Sequence, residues 1–221
     1  MKISEIFLGI QGEGKEIGLP TVFTRFIGCN LRCKWCDTKY AYEGGVEMNA
    51  EQIYEKIVQV GEWTKRVCLT GGEPLLQNIE NLKRLLKLLT TSSYYVSVET
   101  NGSIPLENWM MVQGRLFNSI VMDWKCSSSK MNSKMLQSNL IWLNSDDQIK
   151  FVIGTKKDFY EALKIVDYYK DRLVKPHFIF SPVYKKMNPK ELVELLINNK
   201  VDGRMQLQLH KQIYGPRKRG V

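Results

Sequence analysis

Three of the five cysteines fall within eight residues, in the run Cys29-Asn30-Leu31-Arg32-Cys33-Lys34-Trp35-Cys36, and that crowding constrains the chain more than any other feature. A strand would turn Cys36 away from Cys29 and Cys33. A helix would put all three on one stripe, but Gly28 and the polar neighbours Asn30, Arg32, Lys34 and Asp37 describe a loop. The three thiols are therefore read as ligands of one shared centre. Structural zinc takes four Cys or His ligands, and iron-sulfur clusters take four thiolates. Here the run offers three. His177 and His210 lie far downstream, while Cys68 and Cys126 sit in or at the end of apolar strand-like runs, where a free cysteine behaves as a small hydrophobe. With three ligands a cubane 4Fe-4S cluster keeps one iron open for chemistry, as a catalytic zinc keeps an open position.

The 221 residues fit one domain, 1–221, with a single core. With 43% hydrophobic and 25% charged residues the composition is that of an ordinary globular protein rather than a disordered one. No apolar run reaches the roughly eighteen residues of a membrane span, and Met1-Lys2-Ile3-Ser4-Glu5 lacks a secretory core. A cytoplasmic protein without a membrane partner is expected. That setting keeps thiols reduced, and five cysteines with three clustered make no disulfide framework. The net charge of +9 is spread over the chain, with only Arg217-Lys218-Arg219 forming a run. We read a solvated basic surface, not a nucleic-acid footprint; such a field also suits small anionic substrates or an acidic electron donor.

Ile10-Gln11-Gly12-Glu13-Gly14 reads as a turn, either a plain loop or a place where backbone approaches a ligand. Thr21 to Gly28 reads as a strand whose one charge, Arg25, is the anomaly: either a fork for a carboxylate or a structural ion pair. Asn49 and Gln52 form a capping box that opens a helix carrying Ile53, Ile57, Val58 and Val60. Arg66 to Thr70 is a strand that runs into Gly71-Gly72-Glu73-Pro74, a turn with exposed backbone groups and a carboxylate suited to an ammonium. A helix from Ile79 to Leu89 follows. Strands are expected at Tyr94 to Thr100, Ser119 to Lys125, Gln148 to Ile153, His177 to Val183 and Met205 to His210. Helices are expected at Lys156 to Asp171 and at Pro189 to Asn198 with Asn188 as N-cap, and Ser127-Ser128-Ser129 opens a polar loop towards Leu140. Strands thus alternate with helices about six times, which implies a parallel sheet with right-handed crossovers. A full eight-unit barrel takes about 250 residues, so an α/β fold of the incomplete, TIM-like barrel type is expected, with about six parallel strands. Its open side invites a second copy, hence a homodimer.

The C-x3-C-x2-C spacing together with Gly71-Gly72-Glu73-Pro74 resembles the radical S-adenosylmethionine superfamily. Glu5-Ile6-Phe7, the Gln11-Gly12-Glu13-Gly14 turn, Thr24-Arg25-Phe26, the run Gly28 to Thr38, Glu99-Thr100-Asn101-Gly102, Asp123-Trp124-Lys125-Cys126 and Gln206 to Lys211 narrow the resemblance to the 7-carboxy-7-deazaguanine synthase family. Ser127 departs from it, standing where a proline is expected. The resemblance implies a lyase of queuosine and 7-deazapurine biosynthesis. A 5'-deoxyadenosyl radical removes the C6 hydrogen of 6-carboxy-5,6,7,8-tetrahydropterin, whose ring contracts with loss of ammonia. It implies that Cys29, Cys33 and Cys36 hold a 4Fe-4S cluster and Thr38 a magnesium ion; a helix N-cap is the plain alternative for Thr38. It implies cofactor contacts at Trp35, Asp37, Gly72, Glu73, Asp123, Lys125, Ser181 and Pro182, and pterin contacts at Ile10, Gln11, Gly12, Arg25 and Thr70. The implied reductant is a flavodoxin or ferredoxin.

Two other classes share parts of this pattern. A glycyl-radical-activating enzyme has the three cysteines and the Gly-Gly-Glu-Pro turn but no need of Arg25 and the Gln-Gly-Glu-Gly turn for a small acid. A non-catalytic zinc or iron-sulfur module needs only the cysteines.

Overall fold

The computed structural model describes all residues except 112, 113, 216, 217 and 221. Arg217 of the basic run therefore lies outside the described residues.

The chain starts with a strand that the sequence did not announce. β1 (Lys2–Ile10) pairs antiparallel with β2 (Pro20–Phe26), setting Ile3 against Phe26 and Ile10 against Pro20. Beyond buried Ile3 every residue of β1 is half-buried, so the strand has no alternating face to betray it. β3 (Val46–Glu47) adds a short outer edge. α1 (Ala50–Val60) follows, and its capping box forms as expected, Gln52 N donating to Asn49 Oδ1 and Asn49 N to Gln52 Oε1, both at 2.9 Å. Next come β4 (Arg66–Gly71), α2 (Ile79–Thr91), β5 (Tyr95–Thr100) and the small hairpin of β6 (Met110–Met111) and β7 (Gly114–Arg115). The chain continues through β8 (Ser119–Trp124), β9 (Gln148–Ile153), α3 (Lys156–Tyr168), β10 (His177–Pro182), α4 (Pro189–Asn198), β11 (Arg204–Met205) and α5 (Leu209–Tyr214).

The main sheet runs β11-β10-β9-β8-β5-β4-β2-β1-β3. From β2 to β10 six strands are parallel to one another, as the barrel reading required, and the ends of the order do not meet. One apolar residue of each strand, Phe26, Leu69, Val98, Met122, Phe151 and Phe180, is buried in a common core with Ile53, Ile57 and Leu85 from the helices. Each such side chain contributes about 1.5–3 kcal/mol of burial.

Two expectations need correcting. Helices do not fill every crossover: Leu106–Trp109 between β5 and β8, and Ser127–Ser129, Asn132–Lys134 and Gln137–Trp142 between β8 and β9, are 3-10 turns. The Ser and Asn side chains there bond to local backbone instead. Ser129 Oγ donates to Cys126 O at 2.7 Å, and Asn139 ties Leu106 N to the Gly102 and Ile104 carbonyls. The second correction is the last strand, expected over Met205 to His210. It ends at Met205, because the Gln206 and Gln208 side chains turn to Gly14 and Glu13 and Leu209 N bonds Gly12 O at 3.0 Å. The chain then enters α5.

A buried hub fixes β8 against β9. Asp147, with no exposed surface, accepts from Arg115 Nη1 at 2.8 and 2.7 Å, Ile120 N at 2.8 Å and Asn144 N at 2.9 Å. Arg115→Met leaves that carboxylate without its counter-charge, and an expected loss of about 3–5 kcal/mol follows. Urea unfolding checks it; a loss under about 1 kcal/mol, the value of an exposed pair, would contradict the hub.

Candidate active site

The C-terminal ends of the parallel strands and the cysteine loop enclose a cavity of about 760 Å³. The cysteine loop spans one wall. Glu73 N donates to Gly28 O at 2.8 Å, Gly28 N to Ala41 O at 2.8 Å and Lys34 N to Ser129 O at 3.1 Å, so three separate segments hold it. Cys29, Cys33 and Cys36 are half-buried and all line the cavity, together with Trp35. Burial pushes the Cys29 and Cys33 thiols up, which disfavours free thiolates and suits a compensating cation.

The donor set discriminates between centres. Among the described residues only Cys126, Asp158 and Glu161 gather three ligand atoms within 4.8 Å, so the three loop thiols are spread more widely. A tetrahedral zinc with Zn–S of about 2.3 Å draws its sulfurs to about 3.8 Å apart. A wider spread leaves room for a multi-iron cluster. Cys126 groups with Asp158 and Glu161 and not with the loop thiols: its Sγ lies within 4.8 Å of a carboxylate oxygen of each. Nor do the carboxylates beside Cys126 await an ion, since Asp158 already accepts from Ser128, Gly154 and Thr155 backbone nitrogens at 2.9 Å each.

The Gly-Gly-Glu-Pro turn is built into this wall. A Cβ at Gly72 would lie 2.0 Å from Gly28 O, and Gly71 has φ +129°, so neither position accepts another residue without strain. Gly72 lines the cavity. Glu73 does not: it is fully buried, and its carboxylate accepts from Leu75 N at 3.0 Å, Thr100 Oγ1 at 2.8 Å and Asn101 N at 2.6 Å. Burial pushes its carboxyl up to about 7 despite these donors. The carboxylate expected to meet an ammonium is here a brace behind the wall. Ser181 and Pro182 likewise lie buried outside the lining, Ser181 Oγ without a hydrogen-bond partner among the described residues.

Arg25 forms the ion pair that was one of its two sequence readings. Its Nε donates to Glu5 Oε1 at 2.7 Å, and Tyr40 OH reaches the same oxygen at 3.0 Å. The Phe7 and Tyr40 rings flank the guanidinium at 6.0 and 5.8 Å. No hydrogen bond among the described residues engages its terminal nitrogens, and the residue lines the cavity. Ile10, Gln11, Gly12 and Thr70 also line the cavity. Gln11 Nε2 at 3.3 Å and Thr70 Oγ1 at 2.8 Å both donate to Glu99, a cavity carboxylate that the sequence reading left without a role. Gly12 has to be glycine because His210 is packed on it; an added Cβ would lie 2.3 Å from His210 Nδ1.

The cavity also holds a charge network that joins Asp123 and Lys125, both expected from the sequence, to Glu13 and Lys150, which sequence reasoning missed. Lys150 Nζ meets Glu13 Oε2 at 2.5 Å and Asp123 Oδ2 at 3.6 Å, and Lys125 Nζ meets Asp123 Oδ2 at 2.7 Å. Asp123 Oδ1 is buried with no partner among the described residues, although Asp123 faces the cavity. The signal for Lys150 was the one that exposed Arg25: a lone charge inside the apolar strand Gln148–Ile153. The C-terminal segment closes the far side. Lys211 Nζ bonds Asp37 Oδ2 at 2.5 Å, and Gln208, His210 and Arg219 also line the cavity, Arg219 lying 3.8 Å over the Tyr40 ring. Thr38 occupies an N-cap position but makes no capping bond; its hydroxyl donates to Asp37 Oδ1 at 2.9 Å.

Known proteins agree with this geometry. Residues 24–197 match the model of the Radical SAM superfamily. The 7-carboxy-7-deazaguanine synthase of Clostridium acetobutylicum is 41% identical over 100% of this chain and 99% of its own length. That of Thermoplasma acidophilum is 37% identical over 97% and 98%. The crystal structure of QueE from Escherichia coli superposes with a TM-score of 0.73 over 95% of this chain and 94% of its own, at 22% identity. The fold and the three-thiol loop thus define a radical SAM protein, and the chain belongs to that superfamily. Within it, the chain belongs to the 7-carboxy-7-deazaguanine synthase family.

Proposed function

We propose that the cavity converts 6-carboxy-5,6,7,8-tetrahydropterin into 7-carboxy-7-deazaguanine with loss of ammonia, as a carbon-nitrogen lyase. The observation that carries this reading is Arg25. With Nε spent on Glu5, its free terminal nitrogens offer a charge-assisted fork for a small carboxylate at the cavity wall. Glu99, oriented by Gln11 and Thr70, supplies an acceptor for the amine-rich edge of a pterin. Ile10 and Gly12 line the same cavity.

Cys29, Cys33 and Cys36 suit a 4Fe-4S cluster, and the cluster with S-adenosylmethionine supplies one-electron cleavage of a sulfonium to a carbon radical. The residues around it bind and orient. The unpartnered Asp123 Oδ1 suits a sugar hydroxyl, and Lys125 suits a carboxylate. Trp35, Asp37 and Gly72 wall the same space, while Glu73, Ser181 and Pro182 support it from behind. The C-terminal segment excludes water. An acidic flavodoxin or ferredoxin as reductant, a homodimer and a cytoplasmic setting complete the proposal; no helix among the described residues is long and apolar enough to cross a membrane.

Equilibrium binding to the loaded protein separates this reading from activation of a partner protein. The tetrahydropterin carboxylate is expected to bind at least tenfold more tightly than the same pterin without its carboxyl, the least that a charge-assisted hydrogen bond contributes. Equal affinities would sink it.

Thr38, whose oxygen keeps its lone pairs while its proton goes to Asp37, suits a magnesium ion that takes its other ligands from substrate and water. Thr38→Ala is expected to lower turnover about tenfold or more, by the loss of one ligand-scale interaction, with iron per chain unchanged. Equal loss of iron would remove the magnesium role.

A further inference from the structure

The Glu99-Thr100-Asn101-Gly102 segment ends β5 beside the cysteine loop, and the function proposed above uses only its first residue. Asn101 is 7% exposed, and its backbone is fixed by the bond from its N to Glu73 Oε2. Its side-chain amide has one orientation. Ser103 N, which can only donate, points at Asn101 Oδ1 from 2.9 Å, and Ser103 Oγ donates to the same oxygen at 2.6 Å. The amide nitrogen must therefore face the other way. There it donates to Asn30 Oδ1 at 3.0 Å and lies 3.7 Å from Cys29 Sγ. Asn30 Nδ2 in turn donates to Ser103 Oγ at 2.8 Å, which closes a ring between the cysteine loop and the β5 terminus. Every polar atom of this ring is engaged, so both amide protons of Asn101 are committed, one of them to sulfur.

We propose that Asn101 is a positioning residue for the redox centre: its locked side-chain N–H donates to the Cys29 sulfur and raises the potential at which the cysteine-held centre accepts an electron. Hydrogen bonds to ligand sulfurs are one of the levers that set cluster potentials. Reduction adds negative charge to the sulfurs, so a fixed N–H dipole aimed at one of them stabilises the reduced state more than the oxidised one. Leu31 N, 3.4 Å from the same sulfur, adds a backbone donor that no side-chain replacement removes. The inference rests on the cluster reading of the cysteine loop, not on the identity of the substrate.

The test is a redox titration of the reconstituted full-length protein, followed by electron paramagnetic resonance, with iron content measured alongside and no pterin present. Asn101→Leu keeps the approximate shape and adds no charge but deletes the donor. At a fixed applied potential its ratio of reduced to oxidised centre is expected to fall about tenfold, about 59 mV for a one-electron couple, at equal iron content. Ser103→Ala, which keeps Asn101 but releases one of its two locks, is expected to shift the midpoint the same way by less. An unchanged midpoint in both variants overturns the proposal. So does loss of iron in Asn101→Leu combined with an unchanged midpoint in Ser103→Ala, which would make the ring merely structural. A wild-type chain that assembles no cluster overturns the reading beneath it, whereas a normal midpoint shift without pterin turnover leaves this proposal standing and removes the substrate reading alone.

Discussion

Arg25→Met is expected to lower kcat/KM for the tetrahydropterin carboxylate by about tenfold to a hundredfold, the range of about 1.5–3 kcal/mol for a hydrogen bond to a charged group. Methionine keeps an unbranched apolar stem of similar length but gives up the guanidinium that lies by the Phe7 and Tyr40 rings. The loss is therefore of the fork, not of the wall. Glu5 complicates the variant, because it loses the donor at 2.7 Å and keeps only Tyr40 at 3.0 Å. Both Arg25 and Glu5 are only partly shielded, at 16% and 21% side-chain exposure, so water can serve the freed carboxylate. Iron content and the rate of substrate-independent cofactor cleavage should stay at wild-type values, since the one side-chain hydrogen bond of Arg25 among the described residues goes to Glu5. Arg25→Lys should recover little of the loss, because an ammonium cannot offer two parallel N–H donors while still holding Glu5. A steady-state comparison of the three proteins checks this. Wild-type kcat/KM in Arg25→Met would place the substrate acid elsewhere.

Lys150→Met is expected to be strongly destabilising, at about 3–5 kcal/mol near neutral pH, because it strands the inward-facing Glu13 carboxylate and leaves Asp123 with Lys125 alone. Lys150 is 9% exposed and sits between Glu13 and Asp123. Burial pushes the Glu13 carboxyl up, but the charge and hydrogen bond of Lys150 outweigh it and hold Glu13 below its usual range. Burial pushes Lys150 down, and Glu13 and Asp123 more than reverse that, leaving it well above the ordinary lysine value. The signs give a window. Glu13, depressed, adds stability above its unfolded value that is lost as pH falls through the carboxylate range. Lys150, raised, adds stability that is complete below its unfolded value and lost only in strong base. Wild type is thus favoured across neutral pH. In Lys150→Met the burial contribution to Glu13 is offset only by Gln208 and His210, its carboxyl moves up, and acid weakens folding less than in wild type. The gap between the two proteins should narrow as urea unfolding is repeated from pH 7 towards pH 5. A gap independent of pH would mean that the loss comes from packing, not from stranded charge.

The cysteine loop, the capped helices and the six parallel strands were legible because each depends on local rules: ligand spacing, capping chemistry, and β-branched runs between turns. Arg25 was legible for the same kind of reason, as a charge where a strand should have been apolar. What stayed hidden depended on distant partners. β1 lacks a periodic face, because it is covered by β2 on one side and by only two residues of β3 on the other. The Gln206-Leu207-Gln208-Leu209 alternation has the period of a strand, yet both glutamine side chains leave for the Glu13-Gly14 turn some 190 residues earlier, at separations of 192 and 195. Glu73 reads as a ligand because a carboxylate beside two glycines is usually free to reach out; its bonds to Leu75 N in the next turn and to Thr100 and Asn101 at the end of β5 depend on a distant strand. Lys150 carried the same signal as Arg25 and was missed only because no turn motif drew attention to its strand.

The most direct test of the account is turnover by the anaerobically reconstituted wild-type chain given S-adenosylmethionine, dithionite, magnesium and 6-carboxy-5,6,7,8-tetrahydropterin. The account predicts 7-carboxy-7-deazaguanine and ammonia in equal amounts. Cofactor cleavage that proceeds under these conditions with the pterin recovered unchanged would contradict it.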